Sequence, residues 1–267
     1  MRSQTTVAVL GIVIAACGGA SVGAPETTTT SVETTTTTAV ETTTTTEAPT
    51  TTLAPTTTTV AETTTTISAS PTTTVLRGEP VDMGPSAGAV LGVIGVRHND
   101  VLNLRARPGA DQPIVGRIPP TYDNLVARGA TRMLPASFWT KARYQGIEGW
   151  VNMRYVAYLG STDDVTFQVI EDFGERPEAS TMAELGRVVA EWAASDDPPS
   201  DIVMVVNEEG GDLGEVTFDV VGLGDDALRG VRLHVFAENL DGHFQLRTVE
   251  QTIFCDPARG VDEGSCV

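Results

Sequence analysis

The sequence predicts a small all-β barrel followed by an α+β domain, an antiparallel sheet with one helix, both carried behind a disordered Thr-rich linker. Three observations carry this reading. Between Thr27 and Thr74, 28 of 48 residues are threonine, and such a stretch cannot bury a core. From Ala89 to Leu159, short β-rich runs alternate with turns at the spacing of a small antiparallel barrel. Beyond residue 163, one helical repeat of apolar residues is followed by alternating runs, as expected of a helix lying on half-buried strands. Of the 267 residues, the C-terminal two thirds remain to fold, enough for two compact domains. A full-size enzyme barrel or a doubly wound nucleotide-binding domain is excluded on length.

At the N-terminus, Arg2 and the terminal amine precede an apolar run over residues 7–16, too short to cross a bilayer as a helix. It reads as the hydrophobic region of an export signal. Ile14-Ala15-Ala16-Cys17-Gly18 resembles the bacterial lipoprotein lipobox, with Ile14 where family members more often carry Leu. The resemblance implies a signal peptide of residues 1–16 and diacylation of the Cys17 thiol. The protein would then sit on the outer face of the cell membrane, since two acyl chains give the stable anchoring that one does not. An ordinary secretory signal with an incidental Cys17 is the alternative.

Residues 17–85 follow as the lipidated N-terminus and a stalk. Its Thr blocks are separated by spacers such as Ser-Val-Glu and Leu-Ala-Pro, whose apolar residues are too scattered to offset the entropy of ordering. Thr with Pro after an export signal reads either as an O-glycosylated stalk or as an unmodified linker. Mostly extended at about 3.1 Å per residue, the Thr tract of residues 27–74 would reach on the order of 150 Å, against about 40 Å as a flexible coil.

The barrel reading of residues 86–160 rests on runs at 91–96, 102–105, 113–118, 124–127, 138–144 and 149–152. Asn103 suits a bend, Gly146 and Gly149 suit a hairpin, and Trp150 is large enough to plug one end of a small barrel. Two stretches go further. Leu102-Asn103-Leu104-Arg105-Ala106-Arg107-Pro108-Gly109, and later Trp139 with Gly146-Ile147-Glu148-Gly149-Trp150-Val151 and Tyr155, resemble the bacterial SH3-type (SH3b) domain in the family's order. Residues 128–137 read as a loop longer than the tight turn most members have there. The resemblance implies binding to cell-wall peptidoglycan, often its peptide cross-links, or docking beside a wall hydrolase. The groove it implies is lined by Tyr122, Trp139, Tyr144 and Tyr155, with Arg107 or Arg143 nearby. Aromatic faces pack on peptide or sugar and Arg pairs with carboxylates. For each aromatic, a place in the barrel core is the competing reading.

In residues 161–267 a strand is expected at 165–170 and a helix at 182–194, opened by Thr181 and Glu184 as a capping box. Met182, Leu185, Val189 and Trp192 make its apolar face, with Arg187 and Glu191 as an i, i+4 pair on the wet side. Strands at 201–207, 215–221, 231–237 and 244–254 complete one antiparallel sheet under that helix. Cys255 and Cys266 are expected to pair, because two cysteines so spaced in an exported chain form a disulfide. The run from Arg229 to Phe236 and the Cys255 to Cys266 segment resemble endings of exported actinobacterial proteins of unknown role, which implies no function.

Charge separates the two folded segments. Residues 161–267 hold 24 Asp and Glu against six Arg, net -18, whereas residues 78–160 hold nine Lys and Arg against six acids, net +3. An acidic domain repels phosphate backbones, so nucleic acid is excluded as its partner. The basic middle segment suits an anionic wall polymer, or simply solubility. No His follows Cys255, which removes a cysteine endopeptidase of the type expected beside an SH3-type wall module, and no Gly-x-Ser-x-Gly elbow, phosphate loop or His-Glu-x-x-His occurs. The nearest approaches to a metal site are His234 and His243 with Glu238 or Asp241, and calcium at Glu208-Glu209 with Asp212 or at Asp225-Asp226. Surface histidines and solvated turns account for these more simply, so no catalytic site, metal or cofactor is expected. The chain reads as a membrane-anchored extracytoplasmic lipoprotein that presents a peptidoglycan-binding or docking module. The alternatives are a wall hydrolase or amidase using the acidic domain, and a docking or sensory lipoprotein that binds another exported protein.

Overall fold

The computed structural model describes residues 75–208 and 212–267. The expected signal peptide, Cys17, the Thr-rich tract and Glu209 lie outside the described residues. In chain order the first strands are β1 (Glu79–Val81), β2 (Val90–Val93), β3 (Leu102–Arg105), β4 (Ile114–Ile118), β5 (Leu125–Leu134), β6 (Ser137–Tyr144) and β7 (Ile147–Asn152). A 3-10 turn, Met153–Tyr155, leads into β8 (Val156–Asp164). Then come α1 (Thr166–Phe173), β9 (Glu178–Ala179), α2 (Met182–Ala193), β10 (Asp201–Glu208), β11 (Leu213–Val221), β12 (Leu228–Leu240) and β13 (His243–Cys255). A small hairpin, β14 (Val261–Asp262) and β15 (Ser265–Cys266), follows.

Antiparallel β-structure dominates, with two α-helices among the described residues. The strands join in the order β10-β11-β12-β13-β8-β2-β5-β6-β7-β3-β4, with β1 added to β5 and β9 to β13. The path does not close on itself: β4 and β10 are its two ends. Strand β8 is shared between its halves. Val156 and Ala157 pair with Val93 and Gly92 of β2, while Tyr158 to Asp164 run against β13. The predicted boundary between residues 160 and 161 therefore falls inside a strand.

Two expectations are corrected. The strand predicted at 165–170 is the helix α1. Its Val and Ile residues disfavour a helix only slightly, and burial overrides that preference. Val165 and Val169 share one buried face, Asp164 Oδ1 accepts the Thr166 N–H at 2.9 Å, and Gly174 ends the helix in the left-handed region. Trp192 of α2 donates its Nε1–H to Asp172 Oδ2 at 2.8 Å, which ties the two helices together. The loop predicted at 128–137 is likewise a hairpin. After an irregularity between Ala127 and Thr131, β5 stays paired with β6 until Leu134 faces Ser137, and β1 lies along its other side. The irregularity at Gly129 breaks the apolar alternation by which sequence reading recognises a strand.

The expected helix is α2, where Thr181 Oγ1 accepts the Glu184 N–H at 3.1 Å and Met182, Leu185 and Val189 are buried on the sheet. That core continues through Val216, Phe218, Leu233 and Val249. A second core gathers Leu91, Leu104, Ile118, Leu125 and Val151 from the strands before β8. A small third cluster, Ile94, Ala157 and Phe254, lies where the halves meet.

Beside this third cluster, Asp219 is fully buried. Arg232 Nε and Nη2 donate to its two carboxylate oxygens at 2.8 and 3.0 Å, and the Gly95 N–H donates to Oδ2 at 2.8 Å. Arg232 Nη2 also donates to the Val93 carbonyl at 2.9 Å, and its guanidinium stands 5.3 Å from the centre of the Phe254 ring. Burial pushes the Asp219 carboxyl above its ordinary range, while Arg232 and the Gly95 N–H act in the opposite direction. Cys255 and Cys266 form a disulfide that fastens β15 to the end of β13.

Removing one partner of a buried ion pair strands the other, so Asp219→Ala should lower stability by about 3–5 kcal/mol, whereas the paired change Asp219→Leu with Arg232→Met should cost much less. Denaturant midpoints of the three proteins check this. Closure of the Cys255–Cys266 loop contributes about 3 kcal/mol in the chain-entropy description, and the double change to Ala should lose about that amount in the same measurement.

Candidate functional site: a cleft beside Tyr155

Strand alternation decides which residues of the first half face outward. On β3, Leu102 and Leu104 are buried inward and Asn103 and Arg105 face out, half-buried. On β6, Thr140, Ala142 and Tyr144 face inward, so Trp139, Lys141 and Arg143 share the other face, where Trp139 is itself nearly buried at 4% exposure. The register sets Trp139 opposite Asn152 and places Trp150 between Lys141 and Arg105. Between this outer face, the loop after β2 and the 3-10 turn lies a cleft of about 420 Å³, lined among others by Arg97, Asp100, Asn103, Arg105, Trp139, Asn152 and Tyr155.

Each polar group has a defined attachment. Trp139 Nε1–H donates to Ser137 Oγ at 3.1 Å, and Arg105 Nη1 donates to the Gln112 carbonyl at 2.6 Å. Asp100 Oδ1 accepts the Val101 N–H at 2.7 Å, and Asn152 Oδ1 accepts the Arg154 N–H at 2.9 Å, which leaves the Asn152 amide N–H groups free to donate. Arg97 is exposed and makes no ion pair among the described residues. Further along the outer face, Lys141 and Arg128 hold Glu148 at 2.7 and 2.9 Å, and the hydrogen bond from Lys141 keeps that carboxyl below its ordinary range.

Of the residues expected to form the groove, Trp139 and Tyr155 meet in the cleft. Tyr122 and Tyr144 pack edge to face, centroids 4.8 Å apart, against the inner core. Arg107 and Arg143 are exposed and line no part of the cleft. Asn103 sits in mid-strand opposite Arg117 rather than at a bend. Arg97, Asp100, Asn103, Arg105 and Asn152 were missing from the expected groove. The Leu-Asn-Leu-Arg alternation of β3 carries the signal for Asn103 and Arg105, whereas the loop residues Arg97 and Asp100 have no sequence pattern that marks them.

The two glycines of the hairpin act differently. Gln145 and Gly146 form the two-residue turn between Tyr144 and Ile147, both with positive φ, as such turns require. Gly149 is instead a site of close approach: a Cβ there would lie 2.6 Å from Leu104 Cγ and 2.8 Å from the Arg105 carbonyl oxygen.

Elsewhere, His234 Nε2 lies 2.7 Å from Glu215 Oε1 and Nδ1 3.8 Å from Glu250 Oε2, so its carboxylate neighbours are not Glu238 or Asp241. His243 opens β13 in an exposed position opposite Leu240. Asp225 Oδ1 accepts the N–H groups of Leu228 and Ala227, which hold its carboxyl below the ordinary range, and Asp226 pairs with Arg259. No group of three or more His, Cys, Asp and Glu able to hold a metal ion occurs among the described residues. No protein-family model, curated protein or solved structure matches the chain.

Because a side chain at Gly149 would press on β3, Gly149→Ala should cost about 1–3 kcal/mol through overpacking and displace Arg105 from the cleft wall. Thermal unfolding gives the first effect, and a shifted Trp emission maximum reports the second.

Proposed function

We propose that the protein is an exported, lipid-anchored surface protein in which residues 86–160 form an SH3-type barrel and bind cell-wall peptide in the cleft beside Tyr155, with residues 161–267 as an attached α+β domain. The lipobox-like Ile14 to Gly18 segment and the Thr-rich tract support the location. In support of the barrel, the strands from β2 to β7 bury their inward residues around one common core. The cleft carries the binding reading. It sets the phenol of Tyr155 and the edge of the nearly buried Trp139 beside two guanidiniums, Arg97 and Arg105, one carboxylate, Asp100, and two carboxamides, Asn103 and Asn152. Such a set offers the Tyr155 ring to a peptide side chain, amide partners to its backbone and, from Arg97 and Arg105, cations to its carboxylates.

A docking role on another exported protein has its own support at the far end of the strand path. Among the described residues strand β4 pairs only with β3, and its Ile114 and Val115 are exposed along that edge. An open edge of this kind accepts a further strand from a partner.

Sedimentation of the full chain with purified peptidoglycan sacculi at low salt separates the readings. Wall binding predicts retention without release of wall peptides, reduced about tenfold in Arg105→Gln through loss of a charge-assisted contact. No retention at low salt sinks the wall reading and favours docking.

A further inference from the structure

Tyr155 borders more than the cleft. A cavity of about 230 Å³ lies between Arg97, Arg154 and Tyr155 on one side and Asp201, Ile202 and Val203 of β10 on the other. A third, of about 450 Å³, runs from Phe138 past Arg154 and Tyr155 to Arg229 and Asp256. Tyr155 lines all three, Arg97 lines the first two, and Arg154 lines the second and third. The three cavities thus adjoin through shared side chains, and their walls come from both halves of the strand path.

The loop that forms one wall is positioned from the second half. Gly95, with φ +62°, donates its N–H to Asp219, Arg232 donates to the Val93 carbonyl, and the His98 N–H donates to the Met204 carbonyl of β10 at 3.0 Å. Asp219 and Arg232 are therefore positioning residues for Arg97, which stands between the Gly95 and His98 attachments.

Across the three cavities the lining carries Arg97, Arg105, Arg154 and Arg229 against Asp100, Asp201 and Asp256, so the balance is positive by one charge and favours an anionic occupant. Arg97 and Arg154 flank the 230 Å³ cavity. Among the described residues Arg154 is paired only with Asp201, at 3.0 Å, and both side chains are about two-thirds exposed, at 66% and 67%. An exposed pair of this kind contributes little and exchanges readily for another carboxylate. We propose that the three cavities form one composite groove for an extended peptide bearing free carboxylates, with one carboxylate on Arg97 and another displacing Asp201 from Arg154. This deepens the wall reading, on which it rests for the source of the peptide but not for the groove itself, by making β10 part of the recognition surface and giving residues 161–267 a role in binding.

The test uses the full chain, labelled for NMR and titrated with hexaglutamate, with hexaglutamine as the uncharged control. Hexaglutamate, but not hexaglutamine, should shift the amides of Arg97, Tyr155 and Ile202. Arg154→Gln should weaken binding about tenfold, while Asp201→Asn, which removes the competing carboxylate, should tighten it. Both changes are at exposed positions, so the fold is retained. Shifts confined to Asn103 and Trp139, or Arg154→Gln and Asp201→Asn proteins that bind like the parent, overturn the composite groove. Sacculi tell the two proposals apart. Retention lost in Arg105→Gln but unchanged in Arg154→Gln overturns the groove and leaves the wall reading standing. Hexaglutamate binding with these variant effects, in a chain that ignores sacculi, supports the groove and discards the wall.

Discussion

The two halves of the strand path depend on where one buried carboxylate puts its charge. Asp219 is sealed from water, and its oxygens are taken up by the Arg232 guanidinium and the Gly95 N–H. A buried charge is tolerated only when paired and hydrogen-bonded, so the arrangement admits one relation between β11, β12 and the loop after β2. A purely apolar junction would tolerate sliding, because dispersion has no direction. Here the Val93 carbonyl and the Gly95 N–H must both meet the same ion pair, and the small cluster of Ile94, Ala157 and Phe254 packs around a geometry already determined.

Much of the fold was legible because most strands of the chain alternate cleanly. The runs around Phe218, Leu233 and Leu246 could be assigned from alternation, those around Leu104 and Trp139 from short β-rich stretches between turns, and the helix at Met182 from its cap and its apolar stripe. What escaped was decided by contacts distant in sequence. Residues 165–170 have the composition of a strand, and only the pocket under Val165 and Val169 makes them a helix. The hairpin at 128–137 was hidden by the irregularity at Gly129. Strand β8 could not be foreseen as shared, since its two partners, β2 and β13, lie on opposite sides of it in the sequence.

The site was legible in part, for a related reason. Motif positions point to aromatic residues without saying which face of a strand they occupy. Tyr144 and Trp139 are both on β6, five residues apart, so alternation sends one into the core and the other outward. Arg97 and Asp100 sit on a loop whose position is determined by bonds from β10, β11 and β12, far along the chain, and no local pattern encodes that.

The disulfide between Cys255 and Cys266 gives the fold a direction in which it comes apart. Strand β13 pairs with β12, β8 and β9, and its far end is stapled to a small hairpin whose Gly264 carbonyl accepts the Ser161 N–H of β8. Fraying from that side must first pass a covalent clasp. The strands at the open ends of the path, β4 and β10, have no such restraint, so local opening under mechanical load or protease attack begins at the periphery and reaches the shared centre last.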